Sequence, residues 1–387
     1  MKNYYVDLHI HIGRTASGKP VKITGARTLT LPNIVDEAAR VKGLQMVGVI
    51  DSHVPDVLNE LERMAEQNGW TEHAEGGVGA GDVTVLLGSE IEIYDAHCQG
   101  PIHVLVFLPT VVAMREFSQW LKTRVKNISL SSQRMYGTGR ELQQFVKELG
   151  GLFIPAHAFT PFKSLYGKGV RRSLTEVFDP DLIDAIELGL SADSAMADQI
   201  AELHRYPYVS NSDAHSLPKI AREYQIIRMN APTFAELKKA LYQEENCSIV
   251  ANYGFNPRLG KYHQTACEQC AAPMETSDER CASCGHHRFV KGVFDRLEEL
   301  KTANNGPPRP PYIYQVPLEF IPGIGKKTYE KLLRHFGTEM RILHEATEAE
   351  IADVAGEKLA KLIVLARSGQ LSIEAGGAGK YGKIASR

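Results

Sequence analysis

The sequence predicts an α/β chain in which a barrel or sheet of alternating strands and helices is followed by a small cysteine-bound module and a helical domain. Three features carry this expectation. From Met1 to about Val250, short apolar strands alternate with amphipathic helical stretches, the pattern of a parallel α/β sheet or barrel. Two Cys-x-x-Cys pairs then stand close together in a turn-rich stretch. Beyond a Pro-rich segment the pattern turns helical, opening on a Gly-x-Gly turn.

Taken in order, MVGVID, VTVLLGSEIEI, IHVLVFLP, GLFIPAHA, DAIELGL and YVSNSDAH are expected as strands. IVDEAARVKG, VLNELERMAEQNG, MREFSQWLKTRV, GRELQQFVKELG and SAMADQIAELHR are expected as helices. These units make up a first domain over residues 1–255. A metal module is expected over 260–292 and an extended, semi-rigid linker over 302–316. A helical domain over 317–370 and a flexible tail over 371–387 complete the chain.

The 387 residues are 43% hydrophobic and 23% charged, as in an ordinary globular protein, and the net charge of −2 singles out no partner. The first residues run directly into a patterned strand, without an apolar leader or cleavage site. The longest apolar stretch, from Ile102 to Met114, is too short to span a bilayer and contains a proline. Six cysteines, four of them clustered, do not resemble a disulfide framework. A cytoplasmic protein is expected, nucleoid-associated in a prokaryote, without membrane attachment.

Candidate chemistry sits at the ends of the expected strands, where barrels of this kind collect their active sites. His9-x-His11 places two imidazoles on one side of a strand, so that one cation can be gripped by both. Asp213-Ala-His215 repeats that spacing at another strand end, and Glu90, His103 and His157 arrive on strands of their own. A carboxylate such as Glu90 can bridge two cations, the need of a two-metal hydrolytic site. The ordered set His9-x-His11, VIDSH, GSE, His103, PAH and SDAH resembles the polymerase and histidinol phosphatase (PHP) family.

That resemblance implies a PHP-type distorted (β/α) barrel that binds two or three divalent cations and hydrolyses phosphoesters. The cations are Zn2+, with Mn2+ or Mg2+ as alternatives. It assigns His9, His11, Glu90 and Asp213 to one ion, Glu90, His103 and His157 to a second, and His215 to a third. Where the family often carries Thr-Asp-His, this chain has Asp51-Ser52-His53, so that Asp51 or His53 supplies a ligand. Glu187 and Asp193 are spare carboxylates. Asp193 is the candidate for a catalytic role at the third site, and a core-edge role is the alternative.

Cys267-x-x-Cys270, ten residues, then Cys281-x-x-Cys284 forms two knuckles that present four thiolates to one tetrahedral ion. Polar neighbours argue against buried small hydrophobes, and four filled positions describe a structural Zn2+ with none left for chemistry.

LEFIPGIGKKTYEKLLRHFGT resembles a helix–hairpin–helix element. Gly323 and Gly325 permit the tight turn, the amides behind it can meet a phosphate, and Lys326 and Lys327 add charge. A degenerate second copy follows around Gly356. After His157, Lys163, Tyr166, Arg171 and Arg172 interleave aromatic and basic groups suited to DNA, the alternative being a solvated loop.

Barrel, zinc knuckle and backbone clamp in this order resemble the endonuclease Q family over nearly the whole chain. The resemblance implies a DNA repair endonuclease acting on double-stranded DNA. It would cut 5′ to deaminated bases (uracil, hypoxanthine, xanthine) and at abasic sites. The alternatives are a PHP-type phosphatase or exonuclease without lesion specificity, and a non-catalytic DNA-damage binding protein.

Overall fold

The computed structural model describes residues 1–260, 262–274 and 279–371, together with the backbone of a short strand pair at Ile373–Glu374 and Lys383–Ile384. The expected tail at 371–387 otherwise lies outside the described residues.

The first strand, Lys2–Ile10, takes Met46–Val49 as a parallel neighbour, and Met46–Val49 in turn pairs in parallel with Val83–Ile93. Val83–Ile93 then forms an antiparallel hairpin with Ile102–Leu108, which pairs antiparallel with Leu152–Pro155. A short parallel pair, Ile186–Glu187 with Tyr208–Val209, continues the ring through Asp184 N to Phe153 O at 3.0 Å. The ring closes where Ala214 N donates to His9 O at 3.0 Å and His11 N to Ala214 O at 3.1 Å. On its outer side, Lys2–Ile10 also pairs antiparallel with Tyr224–Met229, which carries Ser248–Gly254.

The α/β barrel is therefore present, but its pairing is mixed where the alternating pattern suggested a parallel sheet. The reason lies at Tyr94–Pro101, a connection too short for the helical crossover that a parallel pair requires. This reversal matters for the site. His103 begins its strand at the same rim where its neighbours end.

The barrel strands are buried on both faces, and successive side chains fall into different apolar clusters, as the period of two demands. Leu86 packs with Leu105, Phe107 and Ile154 inside the ring. Val85 and Leu87 join Val104, Val106 and the helix residues Leu58, Leu61 and Phe117 outside it. Glu90 and His103 share the parity of Leu86 and Leu105, so they face inward at the rim.

Four of the five expected helical stretches form at Leu31–Lys42, Pro55–Asn68, Val111–Lys122 and Gly139–Glu148, the first continuing from an α into a π turn. The fifth breaks up, leaving an α turn at Ser194–Ala197 and a 3-10 turn at Ala201–Arg205. Its backbone is recruited elsewhere. Gln199 O accepts from Thr302 N and Ala303 N, while Ala201 N donates to Thr302 Oγ1 at 2.8 Å. The Pro-rich segment is likewise tied down, with Arg309 on Asp198 at 2.9 Å and Tyr312–Tyr314 added to the sheet beside Ser248–Gly254.

The C-terminal helices Lys326–Phe336, Glu339–His344, Glu348–Ala355 and Glu357–Arg367 enclose their own apolar cluster around Leu332, Phe336, Ile342 and Ile363. Phe255 and Leu259 from the end of the barrel segment join that cluster. A buried Lys42–Glu339 ion pair at 2.8 Å and a Tyr224 to His344 hydrogen bond at 2.7 Å fasten the helices to the barrel. Among the described residues, no helix is long and apolar enough to cross a membrane.

Candidate metal centre and nucleic-acid interface

The rim of the barrel carries the predicted set. A register shift between Asp7 and Ile10 marks a bulge, a feature that re-aims side chains. Past it, His9 and His11 meet Glu90 and Asp213. His9 Nε2 lies 3.4 Å from Asp213 Oδ1 and 3.6 Å from Glu90 Oε1. His11 Nε2 lies 3.6 Å from both Glu90 Oε2 and Asp213 Oδ1. These separations are too long for hydrogen bonds. They suit a shared ion, since two atoms each about 2.1 Å from one tetrahedral centre stand about 3.4 Å apart.

Three groups of potential ligand atoms lie within 4.8 Å of one another: His9, His11 and Glu90; Glu90, His103 and His157; and His11, Asp213 and His215. Glu90 belongs to two of them, and so does His11. The Nε2 atoms of His9, His11 and His103 are buried without a hydrogen-bond partner among the described residues. Orphaned acceptors of this kind are costly unless a cation occupies the space between them. The donor set therefore fits divalent cations.

Charge around the rim leads to the same conclusion. Burial opposes protonation of His9, but Glu187, Asp213 and Glu90 outweigh it and push its pKa up to about 10. Burial likewise works against ionising Glu90, yet His103 and Lys22 hold the carboxyl well below its usual range. Asp213 is depressed too, with His9 and His11 overcoming the effect of burial. A cluster that draws a proton this strongly onto an imidazole is one that calls for positive charge.

Each of the first two histidines has a carboxylate behind it. His9 Nδ1 stands 2.9 Å from Glu187 Oε1, and His11 Nδ1 stands 3.1 Å from Asp51 Oδ2. Donation through Nδ1 leaves Nε2 as the lone pair aimed into the rim. Asp51 thus stands behind His11 and outside the three groups, with Ile12 N also donating to it at 2.7 Å. His53 is turned away, its Nδ1 2.8 Å from Ser89 Oγ. Asp7 holds the opposite strand end, accepting from Ser212 N at 3.1 Å and Ala221 N at 2.9 Å.

Asp193 is not brought to the cluster. It caps Ser194–Ala197 through Met196 N at 2.8 Å and accepts from Tyr314 Oη at 2.7 Å. Three participants went unread in the sequence. Lys22 places its ammonium 3.3 Å from Glu90 Oε2, and Ser132 bonds that same oxygen. Glu92 faces Lys163 at 2.9 Å and His103 Nε2 at 3.5 Å. The spacing Glu90-x-Glu92 shows both carboxylates on one side of a strand, whereas Lys22 and Ser132 lie in loops without any periodic signal.

The cluster opens into a cavity of about 480 Å3. Four non-glycine residues on its wall adopt left-handed backbone: Ser132 (φ 52°), His157 (φ 32°), Lys163 (φ 54°) and Asp213 (φ 46°). Such residues cost energy and persist where surrounding structure imposes them, commonly at functional sites.

The second candidate centre is the cysteine cluster. The Sγ atoms of Cys267, Cys270, Cys281 and Cys284 lie within 4.8 Å of one another, with Cys267 and Cys281 buried and the other two exposed. Knuckle amides of Cys270 and Gln269 bring the Cys267 thiol down to about 7, towards the thiolate that binds metal.

No family model matches the chain. It is 56% identical over 385 residues to the uncharacterized protein YqxK of Bacillus subtilis strain 168, covering 99% of this chain and all of that one. Among solved structures, it resembles the lesion-specific endonuclease PfuEndoQ of Pyrococcus furiosus. The TM-score is 0.86 at 36% identity, over 99% of this chain and 95% of that one. The chain belongs to the endonuclease Q family. A second structure, endonuclease Q in complex with a 27-mer duplex carrying an abasic lesion at the active site, matches at a TM-score of 0.85 and 35% identity, over 99% and 96% of the two chains.

Membership in the endonuclease Q family makes the chain an endonuclease and directs attention to its basic surfaces. Gly323 takes φ +92° in the turn before Lys326–Phe336, and Gly325 is that helix's N-cap without a side-chain cap. The first-turn amides of this endonuclease Q chain thus lack a side-chain cap, and Lys326 and Lys327 beside them are exposed. The segment after His157 divides. Lys163 lines the cavity, and Arg171 and Arg172 are exposed. Tyr166 is fully buried, stacked on Phe159 and bonded to Glu202 at 2.8 Å, so it cannot reach DNA as the sequence suggested. Its aromatic ring supports the loop from inside.

Proposed function

We propose that this endonuclease Q chain is a DNA repair enzyme that hydrolyses the phosphodiester bond on the 5′ side of deaminated bases and at abasic sites in duplex DNA. The observation that carries the reading is the sharing of Glu90 and His11 between neighbouring groups of ligand atoms. Divalent cations bound by these neighbouring groups would supply Lewis-acid stabilisation of the charge that develops in a phosphoryl displacement. The full-length similarity to an endonuclease Q bound to a duplex with an abasic lesion supports DNA as the partner.

On this reading, residues 1–255 form the catalytic domain. His9, His11, Glu90 and Asp213 would hold one cation, Glu90, His103 and His157 a second, and His215 would contribute to a third. Asp51 and Glu187 keep the rings of His11 and His9 in the ligating tautomer. Lys22 and Ser132 fix the orientation of Glu90. Residues 260–292 form a structural Zn2+ module, while 302–316 connects it to a backbone-binding clamp at 317–370. Backbone amides at Gly325 and the lysines after it position the duplex without reading its bases. The cavity of about 480 Å3 beside the ligand groups would receive an extruded lesion nucleotide.

The test is single-turnover nicking of labelled duplexes carrying uracil, hypoxanthine, an abasic site or no lesion, with Zn2+, Mn2+ and Mg2+ in turn and Asp213→Ala as the control. Cleavage confined to lesions and absent in Asp213→Ala is expected. Equal cleavage of undamaged duplex would favour the exonuclease or phosphatase reading.

A further inference from the structure

Ile23 is the most exposed large apolar side chain among the described residues, at 77%, and it lines the cavity that contains the ligand groups. Among the described residues it belongs to no apolar cluster. The turn beneath it is nevertheless held firmly. Val21 N donates to Gly13 O at 3.0 Å, Lys22 N to Ile12 O at 2.8 Å, Gly25 N to Lys22 O at 2.9 Å and Ala26 N to His215 O at 2.8 Å. A Cβ on Gly13 would stand 2.0 Å from Ala26 O, so the two passes of chain are in backbone contact. The preceding side chain, Lys22, reaches Ser132 Oγ at 2.7 Å and Glu90 at 3.3 Å.

An isoleucine on a loose loop would fold back onto apolar surface. This one is held out in water, beside the cluster, by a turn anchored to a cluster carboxylate. Phe162 is the other exposed apolar residue on the cavity wall, at 45%. It is already engaged, edge-on to Tyr262 at 5.5 Å and under the Lys168 ammonium at 5.4 Å. Ile23 alone of the two has its apolar surface uncommitted.

We propose that Ile23 is a wedge that enters the duplex at the cleavage site and fills the place in the base stack vacated by the extruded nucleotide. The inference rests on the reading that the chain acts on extruded lesion nucleotides. Unstacked neighbours expose apolar faces, and a branched aliphatic side chain at a fixed height covers them, as apolar wedges do in other kinked duplexes. Because Lys22 ties the turn to Glu90, insertion of the wedge also sets the distance between the stack and the ligand cluster. Ile23 is thus a positioning residue.

The experiment compares wild type, Ile23→Ala and Ile23→Leu in single-turnover nicking of a uracil-containing duplex and of the same uracil strand unpaired. A 2-aminopurine beside the uracil reports unstacking on binding. Ile23→Ala is expected to slow duplex nicking by about tenfold or more while sparing the unpaired strand, where there is no stack to fill. Ile23→Leu should restore the rate. Equal duplex rates for Ile23→Ala and wild type would overturn the wedge, and so would equal losses on both substrates. An Ile23-dependent rise in fluorescence without any nicking would sink the cleavage reading and keep the wedge. Nicking without that rise would remove the wedge alone.

Discussion

His9 and His11 each turn one ring nitrogen to a carboxylate and the other into the barrel mouth, and this division of labour is where the site is made. Glu187 does for His9 what Asp51 does for His11. A carboxylate in that position fixes the tautomer and raises the basicity of the ligating nitrogen. Glu187→Gln keeps the shape and removes the charge, so nicking should fall by about 10- to 100-fold, with a matching loss of metal affinity. Asp193→Asn serves as the comparator. Its bonds to Met196 N and Tyr314 lie outside the cluster, and its nicking should stay within about twofold of wild type. A metal titration followed by nicking checks both, and a Glu187→Gln enzyme with unchanged metal affinity would remove the orienting role.

Two elements act at a distance from the cluster. The cysteine module has a small apolar core of Cys267, Met274 and Cys281. Among the described residues that is little burial for a fold, and an ion bound by the four thiolates would supply folding energy. Cys270→Ser should release about one zinc per chain and lower the melting temperature of this region. Unchanged zinc content would show the cluster to be no metal site. The Gly323–Lys327 turn is the other element. Replacing Lys326 and Lys327 by Ala should weaken damaged and undamaged duplex alike, and should flatten the log–log salt dependence of affinity by about one to two units. Nicking at saturating DNA should change little, because the lysines lie outside the cluster. A loss confined to damaged duplex would argue against a backbone clamp.

Barrel and helical domain are joined by groups whose charge state matters. His344 sits against Tyr5, Tyr224 and Tyr253, and Arg367 is the charge that acts on it. Burial, helped by Arg367, lowers its pKa to about 4. A histidine depressed in the folded state is neutral there while the unfolded chain binds a proton below about 6.5. The docking should therefore keep its full stability above pH 6.5 and lose it as pH falls towards 4. Melting curves across that range check this, with His344→Gln expected to show the shallower dependence. The Lys42–Glu339 pair works in the same place, and removing one partner of such a buried pair typically costs about 3–5 kcal/mol.

Much of the site was legible because its signals are local. Histidines two apart on a strand, a glutamate following an apolar run, paired Cys-x-x-Cys and a Gly-x-Gly turn all report neighbours within a few residues, where chain geometry dictates which groups share a face. Alternation of strands and helices determined the α/β class for the same reason. What only the tertiary structure decided involves partners far apart in sequence. Glu187 meets His9 across 178 residues, and Lys22 meets Glu90 across 68. Tyr166 looked like a surface aromatic until the loop folded over it, and the helix expected at 194–205 yielded its backbone to Thr302 and Ala303. Periodicity tells which side of a strand a residue occupies. Which strand lies next to which, and so which carboxylate stands behind which imidazole, is settled by pairing and packing between distant segments.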